Sequence, residues 1–206
     1  MIYLPARFQS KDSEECLELV AEFPLATMIT VPGSGGEPYV SHVPLILKGE
    51  GESLKLVGHL ARANAHWKMM DGERVTVIFH GPQAYITPNW YVENDVPTWN
   101  YAVVHFQGTS RLIEDFEGIS RCLQELTAHV EKGPKAWKFW LPPDLATPEV
   151  LPKAIVGFEI DVTSMRGKFK LSQNRIPEDR AGAIRGLENE RSDENSRKIA
   201  ELMKKR

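Results

Sequence analysis

The feature that most constrains this chain is a recurrence of short apolar and β-branched runs, each closed by a tight turn, with helical stretches inserted at irregular intervals. Residues 25–31 form one such run. Pro32-Gly33-Ser34-Gly35-Gly36 can only turn the chain, and residues 39–47 return as a second strand. Pro44 lies inside that return and predicts an edge or a bulge, because proline cannot donate to a central ladder. A turn at Gly49-Glu50-Gly51 leads to a third strand at 54–58, longer β segments follow at 74–86 and 100–113, and a late one comes at 155–162. Strands joined by tight turns need no crossover helix. The expectation is a mostly β protein with peripheral helices, an antiparallel barrel rather than a doubly wound parallel sheet.

The helices are few. Residues 12–22 place Cys16, Leu19, Val20 and Phe23 on one face, with Asp12 and Glu15 as a capping pair and Pro24 as the stop. A brief helix is expected at 64–70. The best helix spans 116–131, with Ile119, Cys122, Leu123, Leu126 and Val130 on one stripe and Gly133-Pro134 after it. Residues 137–153 mix aromatics with prolines and resist assignment. Two charged helices, at 177–187 and 193–205, follow. The organisation expected is a barrel domain at 1–176 and a charged helical extension at 177–206.

Composition narrows the function classes. With 42% hydrophobic and 26% charged residues, a chain of 206 residues can bury a sizeable core without disulfides or metal. A formal charge of −3 gives no broad attraction to phosphate backbones. Cys16 and Cys122 sit in separate amphipathic patterns and read as small buried residues. The sequence shows neither a secretory leader nor a spanning segment, so a reducing cytoplasm is the expected home. HExxH, GxSxG, GxxxxGK[ST] and a GxGxxG opening a helix are all missing from the sequence, and the six histidines lack ligand spacing, so no metal is expected.

Three segments place polar and aromatic groups where a strand ends. In Gly58-His59-Leu60-Ala61-Arg62-Ala63-Asn64 a strand runs toward a helix start beside an arginine, an arrangement suited to a phosphate monoester. The plainer reading is Asn64 as a helix cap with Arg62 in solvent. In Pro97-Thr98-Trp99-Asn100-Tyr101 an aromatic wall and an amide could read a heterocycle, or could be core or interface residues; Tyr85, Trp90 and Tyr91 share that ambiguity. In Lys168-Phe169-Lys170-Leu171-Ser172-Gln173-Asn174-Arg175 the alternation sets Lys168, Lys170 and Ser172 against Phe169 and Leu171. That basic strand suits a phosphate or an electron-rich ring, or is a solvated edge guarded by lysines.

Taken together the segments resemble the PaiB-type FMN-binding negative transcriptional regulators. The resemblance rests on Tyr3-x-Pro5-x-x-Phe8, His42-x-Pro44-Leu45, Gly58-His59-Leu60-Ala61-Arg62-Ala63-Asn64 and Ala84-Tyr85-Ile86-Thr87-Pro88-x-Trp90-Tyr91. It continues through Pro97-Thr98-Trp99-Asn100-Tyr101-x-x-Val104-His105-x-x-Gly108 and Lys168-Phe169-Lys170-Leu171-Ser172-Gln173-Asn174. It implies an FMN-binding split β-barrel, FMN as cofactor, and a homodimer with the flavin near the subunit boundary. Carried onto this chain it places the phosphate at His59, Arg62 and Asn64 and the ring near His42, Trp99, Asn100 and Tyr101. The basic strand adds Lys170, Gln173 and Arg175 as cofactor contacts. Ala65, where a proline is expected, and Thr87, where a serine is common, are mild departures.

The family name implies repression of sporulation and degradative-enzyme genes. Other functions open to the same barrel are an FMN-dependent oxidoreductase and, further off, a haem-handling protein with a histidine axial ligand. A helix-turn-helix is not evident, and residues 178–206 carry seven acidic and eight basic side chains, which reads as a solvated helical pair. Direct DNA contact, if any, would come from Lys168 and Lys170 or from Lys204-Lys205-Arg206.

Overall fold

The computed structural model describes residues 2–33, 35–92 and 95–206. Ser34 of the first turn, and Glu93 and Asn94 of the loop before Trp99, lie outside the described residues, as does Met1.

Seven strands form one sheet in the order β2-β1-β5-β6-β7-β4-β3. They are β1 (Leu25–Thr30), β2 (Tyr39–Pro44), β3 (Ile46–Lys48), β4 (Lys55–Ala61), β5 (Arg74–Ile86), β6 (Thr98–Ile113) and β7 (Ile155–Lys170). Pairing is antiparallel for β1 with β2 and β5, and for β4 with β3 and β7. Pro44 ends β2, which is an edge strand, and so costs no ladder bond. The late strand and the basic strand are one element: β7 runs unbroken for 16 residues, because nothing between Val162 and Lys168 demands a turn. The helices are α1 (Ser13–Glu22), α2 (Phe116–Val130), the one-turn α3 (Leu151–Ala154), α4 (Pro177–Asn189) and α5 (Glu194–Lys204). Among the described residues no helix is long and apolar enough to cross a membrane.

The chain divides into two compact units, and β5, β6 and β7 each contribute residues to both. The first holds Met1–Leu19, His80–Val104 and Arg166–Arg206; the second holds Val20–Phe79 and His105–Met165.

In the second unit, alternate residues of β1 point inward. Ala26, Met28 and Thr30 are buried while Leu25 is exposed. Phe79 and Phe106 meet edge to face, with ring centroids 5.5 Å apart. Asp115 caps α2 by accepting from the Gly118 N–H at 2.8 Å, and the stripe read from the sequence buries Ile119, Cys122 and Leu126. Cys122 and Leu126 cluster with Ile46 of β3 and Val57 of β4. Residues 137–150 carry no regular helix or strand.

In the first unit α1 buries Cys16 and Leu19. Asp12 caps it by accepting from the Glu14 N–H, but Glu15 does not complete a box: it accepts from the Ser10 hydroxyl and pairs with Arg206. The expectation of a solvated pair of terminal helices is overturned. α4 buries Gly182, Ala183, Gly186 and Leu187, and α5 buries Ile199, Ala200 and Met203. The glycines let α4 lie against Trp90: a Cβ at Gly182 would stand 1.9 Å from the Trp90 carbonyl oxygen. Sequence charge alone does not reveal this, because the apolar stripe is narrow and partly made of glycine.

Candidate functional site

The second unit contains a polar constellation where β4 ends. Asn64 begins a short 3-10 helix at Ala65–Met69 and accepts from the His66 N–H at 3.1 Å, the capping role expected of it. Its Nδ2 donates to the Ser41 hydroxyl at 2.9 Å. His66 is buried. One ring nitrogen lies 2.9 Å from the Ser41 hydroxyl and the other 2.9 Å from the Thr30 hydroxyl. A neutral imidazole has one donor and one acceptor nitrogen, so the two hydroxyls satisfy it fully. Burial pushes the His66 pKa down, which favours that neutral form.

Arg62 is not a solvated side chain. Its Nε donates to the Pro152 carbonyl at 2.8 Å, its Nη2 to Glu114 Oε1 at 2.7 Å, and its guanidinium lies 4.5 Å from the Trp67 ring centroid. These hydrogen bonds use two of the five N–H groups and orient the fork. His59, on β4, has a buried Nδ1 without a hydrogen-bond partner among the described residues, and burial pushes its pKa down. At neutral pH it therefore supplies a hydrogen bond rather than a charge. His42 lies on the outward side of β2, with its Nδ1 3.1 Å from the Thr27 hydroxyl.

The first unit contains a second constellation. Trp99 is exposed and meets Tyr85 edge to face at 5.9 Å. Lys170 donates to the Trp99 carbonyl at 2.5 Å and to the Thr98 hydroxyl. Tyr101 is half-buried, 5.4 Å from the Lys168 ammonium. Asn100 is wholly buried, exchanging hydrogen bonds with the Ser172 hydroxyl at 2.9 and 3.1 Å. Gln173 is turned onto its own strand end: it accepts from the Leu171 N–H at 2.7 Å and donates to the Phe169 carbonyl at 2.5 Å. Arg175 pairs with Asp95, lies 4.9 Å from the Tyr91 ring centroid, and so anchors the loop before β6.

The ten residues singled out from the sequence thus separate by role. Arg62, His59, Trp99, Tyr101, Lys170 and His42 offer groups a ligand can use. Asn64, Asn100, Gln173 and Arg175 are committed to their own chain and position the others. The sequence does not single out Ser41 and Thr30, and it marks Lys168 only as part of the basic strand. For the first two the signal was available: hydroxyls at inward positions of the alternating strands β1 and β2.

Each unit's groups suit a different kind of ligand group. A guanidinium with N–H groups to spare and an orphaned buried imidazole nitrogen suit an oxyanion, and exposed aromatic faces beside an ammonium suit an electron-rich ring. The strand order and the inserted helices make this a split β-barrel of the flavin-binding type. The structural matches agree in fold: the flavocytochrome Anf3 of Azotobacter vinelandii has a TM-score of 0.60 at 16% identity, over 79% of this chain and 69% of that one. The FAD and heme binding protein of Mycobacterium smegmatis has a TM-score of 0.59 at 17% identity, over 79% and 73%.

The family described as "Putative FMN-binding domain" matches residues 2–164, and the chain belongs to that family. It is 36% identical over 209 residues to the protease synthase and sporulation protein PAI 2 of Bacillus subtilis, covering 98% of this chain and 96% of the relative. An uncharacterized protein of Emericella nidulans is 30% identical over 84% of each chain. The cofactor is FMN.

Proposed function

We propose that this protein is a PaiB-type negative regulator whose activity depends on bound FMN. The match to an FMN-binding family over residues 2–164 carries the reading, and near full-length similarity to PAI 2 supports the regulatory part. The flavin phosphate is assigned to Arg62 and His59, with Asn64 holding the turn between them and the following helix. Ring contacts are assigned to Trp99, Tyr101 and Lys170 on β6 and β7, supported from within their own unit by Asn100, Gln173 and Arg175, and to His42 on β2. FMN supplies redox chemistry when bound; the residues named bind it, orient it and exclude water.

The regulatory effect is indirect in this reading. Of the basic groups named for a duplex, Lys204 and Arg206 are already paired with Glu188 and Glu15, Lys168 is buried and Lys170 is bonded to Thr98 and Trp99, which leaves Lys205 exposed. The working form is a cytoplasmic homodimer. Support comes from the outward face of β1 and β2, where Leu25, Thr27 and Ile29 lie beside Val40, His42 and Pro44 without a carboxylate, lysine or arginine.

Arg62→Ala tests the phosphate assignment. A charge-assisted hydrogen bond contributes about 1.5–3 kcal/mol, so FMN affinity should fall roughly 10- to 100-fold while riboflavin affinity stays the same. Equal loss of both flavins would instead mean that Arg62 acts through the fold.

A further inference from the structure

Lys168 presents a problem that the flavin contacts above do not solve. It is 9% exposed, and its ammonium faces the rings of Tyr3 at 5.0 Å and Tyr101 at 5.4 Å. Among the described residues no carboxylate or hydrogen-bond acceptor engages it, which leaves its three N–H donors to solvent or to a ligand. Lys170 is two residues on, on the same side of β7, roughly 7 Å away along the strand. It makes two hydrogen bonds to neutral oxygens, of Thr98 and Trp99, and among the described residues it pairs with no carboxylate either. Burial and the neighbouring Lys168 both push the Lys170 pKa down. Two like charges thus lie on one side of β7 with no carboxylate among the described residues paired to either. Cation–π contact offsets part of the desolvation of one ammonium, but burying a lysine without an anion remains costly.

We propose that Lys168 and Lys170, walled by Tyr3 and Tyr101, form an oxyanion site of the first unit that binds a phosphate dianion. Two ammonium groups balance the charge of a phosphate monoester or of inorganic phosphate, and lysine serves such ligands as a point charge. A DNA duplex is the wrong occupant, because a rigid backbone reaches a lysine that is only 9% exposed as a residue far less readily than a small phosphate does. The site goes beyond the assignment of the flavin phosphate to Arg62. Its phosphate comes either from the flavin or from a separate phosphorylated ligand.

Calorimetric titration of the full chain distinguishes the two. Inorganic phosphate is titrated into flavin-loaded protein, and FMN and riboflavin into flavin-stripped protein, for wild type, Lys168→Met and the exposed-residue control Lys11→Met. A separate ligand predicts that flavin-loaded wild type binds phosphate and that Lys168→Met weakens this at least 10-fold with FMN affinity unchanged. The flavin as source predicts a similar loss for FMN and none for riboflavin, which supports the site while overturning the Arg62 assignment. If Lys168→Met does not fold, wild-type protein is treated with an amine-acylating reagent and mapped by mass spectrometry. Inorganic phosphate should then protect Lys170 and not Lys11. The proposal is overturned if Lys168→Met binds phosphate and FMN as wild type does, or if inorganic phosphate does not protect Lys170.

Discussion

Trp90 lies so close to Gly186 of α4 that a Cβ at position 186 would stand 2.1 Å from Trp90 Cδ2. The ring is held in a groove that only glycine leaves open, and Gly182, one turn earlier, makes the same allowance for the Trp90 backbone. Gly186→Ala forces the helix or the ring to move. Overpacking of this kind costs about 1–3 kcal/mol, more than the helix-propensity gain of about 1 kcal/mol returns. Denaturant unfolding should show the loss, and Trp90→Leu should relieve most of it in the double variant.

Ser172 tests a different cost. It has φ of +59° and its hydroxyl is paired with the buried amide of Asn100. Ser172→Ala leaves that amide short of a partner and should destabilise by about 1–3 kcal/mol. Ser172→Gly loses the same bonds but relieves the left-handed backbone, so it should unfold at higher denaturant than Ser172→Ala by about 1 kcal/mol. Equal midpoints would mean that backbone strain at 172 is negligible.

These two contacts mark where sequence reading stopped. Antiparallel strands, the edge position of Pro44, the α2 stripe and the capping role of Asn64 all follow from period and turn chemistry, which are local. The continuity of β7 is not legible locally, because residues 163–167 lack the apolar alternation that marks 155–162 and 168–171 as strand, though nothing in them requires a break. The packing of α4 is hidden in the sequence because its buried face is built largely from Gly182, Ala183 and Gly186, which carry little hydropathy. For the candidate site, spacing located the polar residues but not their partners. That Arg62 is steered by Glu114 and Pro152, about 50 and 90 positions away, is a tertiary fact.

Acid should weaken the fold in a window set by two histidines. Burial holds the folded-state pKa of His59 and His66 below the ordinary 6.5. The unfolded chain therefore binds more protons as pH drops, and stability present above 6.5 is lost progressively as pH falls toward the folded values. Thermal unfolding of the protein should shift downward between pH 7 and pH 5. His66→Gln, which can still bond Ser41 or Thr30, should flatten part of that slope. Glu159, Asp193 and Glu194, whose pKa values are lowered from already acidic ones, contribute only at lower pH, so the two windows separate.

Assembly is tested at the uncharged face of β1 and β2. Sedimentation at micromolar concentration should give a dimer mass, and Val40→Lys, at an exposed position, should shift it to monomer with little change in unfolding. A wild-type monomer that retains FMN would remove the dimer from the account.

DNA contact offers a sharper contrast. With Lys204 and Arg206 paired and Lys168 buried, mobility shifts against promoter fragments should show weak binding that vanishes between 50 and 200 mM salt, those being the roughly chosen limits over which phosphate contacts lose most affinity. Tight, sequence-selective binding at the higher salt would mean that regulation is direct.

The central claim is that the chain holds FMN, and the chromophore itself decides it. The protein is purified, its absorbance spectrum recorded, and the bound group released by denaturation and identified by chromatography and mass. The account predicts a yellow protein with flavin absorbance, FMN as the released species at about one per chain, and reconstitution of the stripped protein by added FMN. A haem spectrum, or a stripped protein that fails to take up FMN while remaining folded, would contradict it.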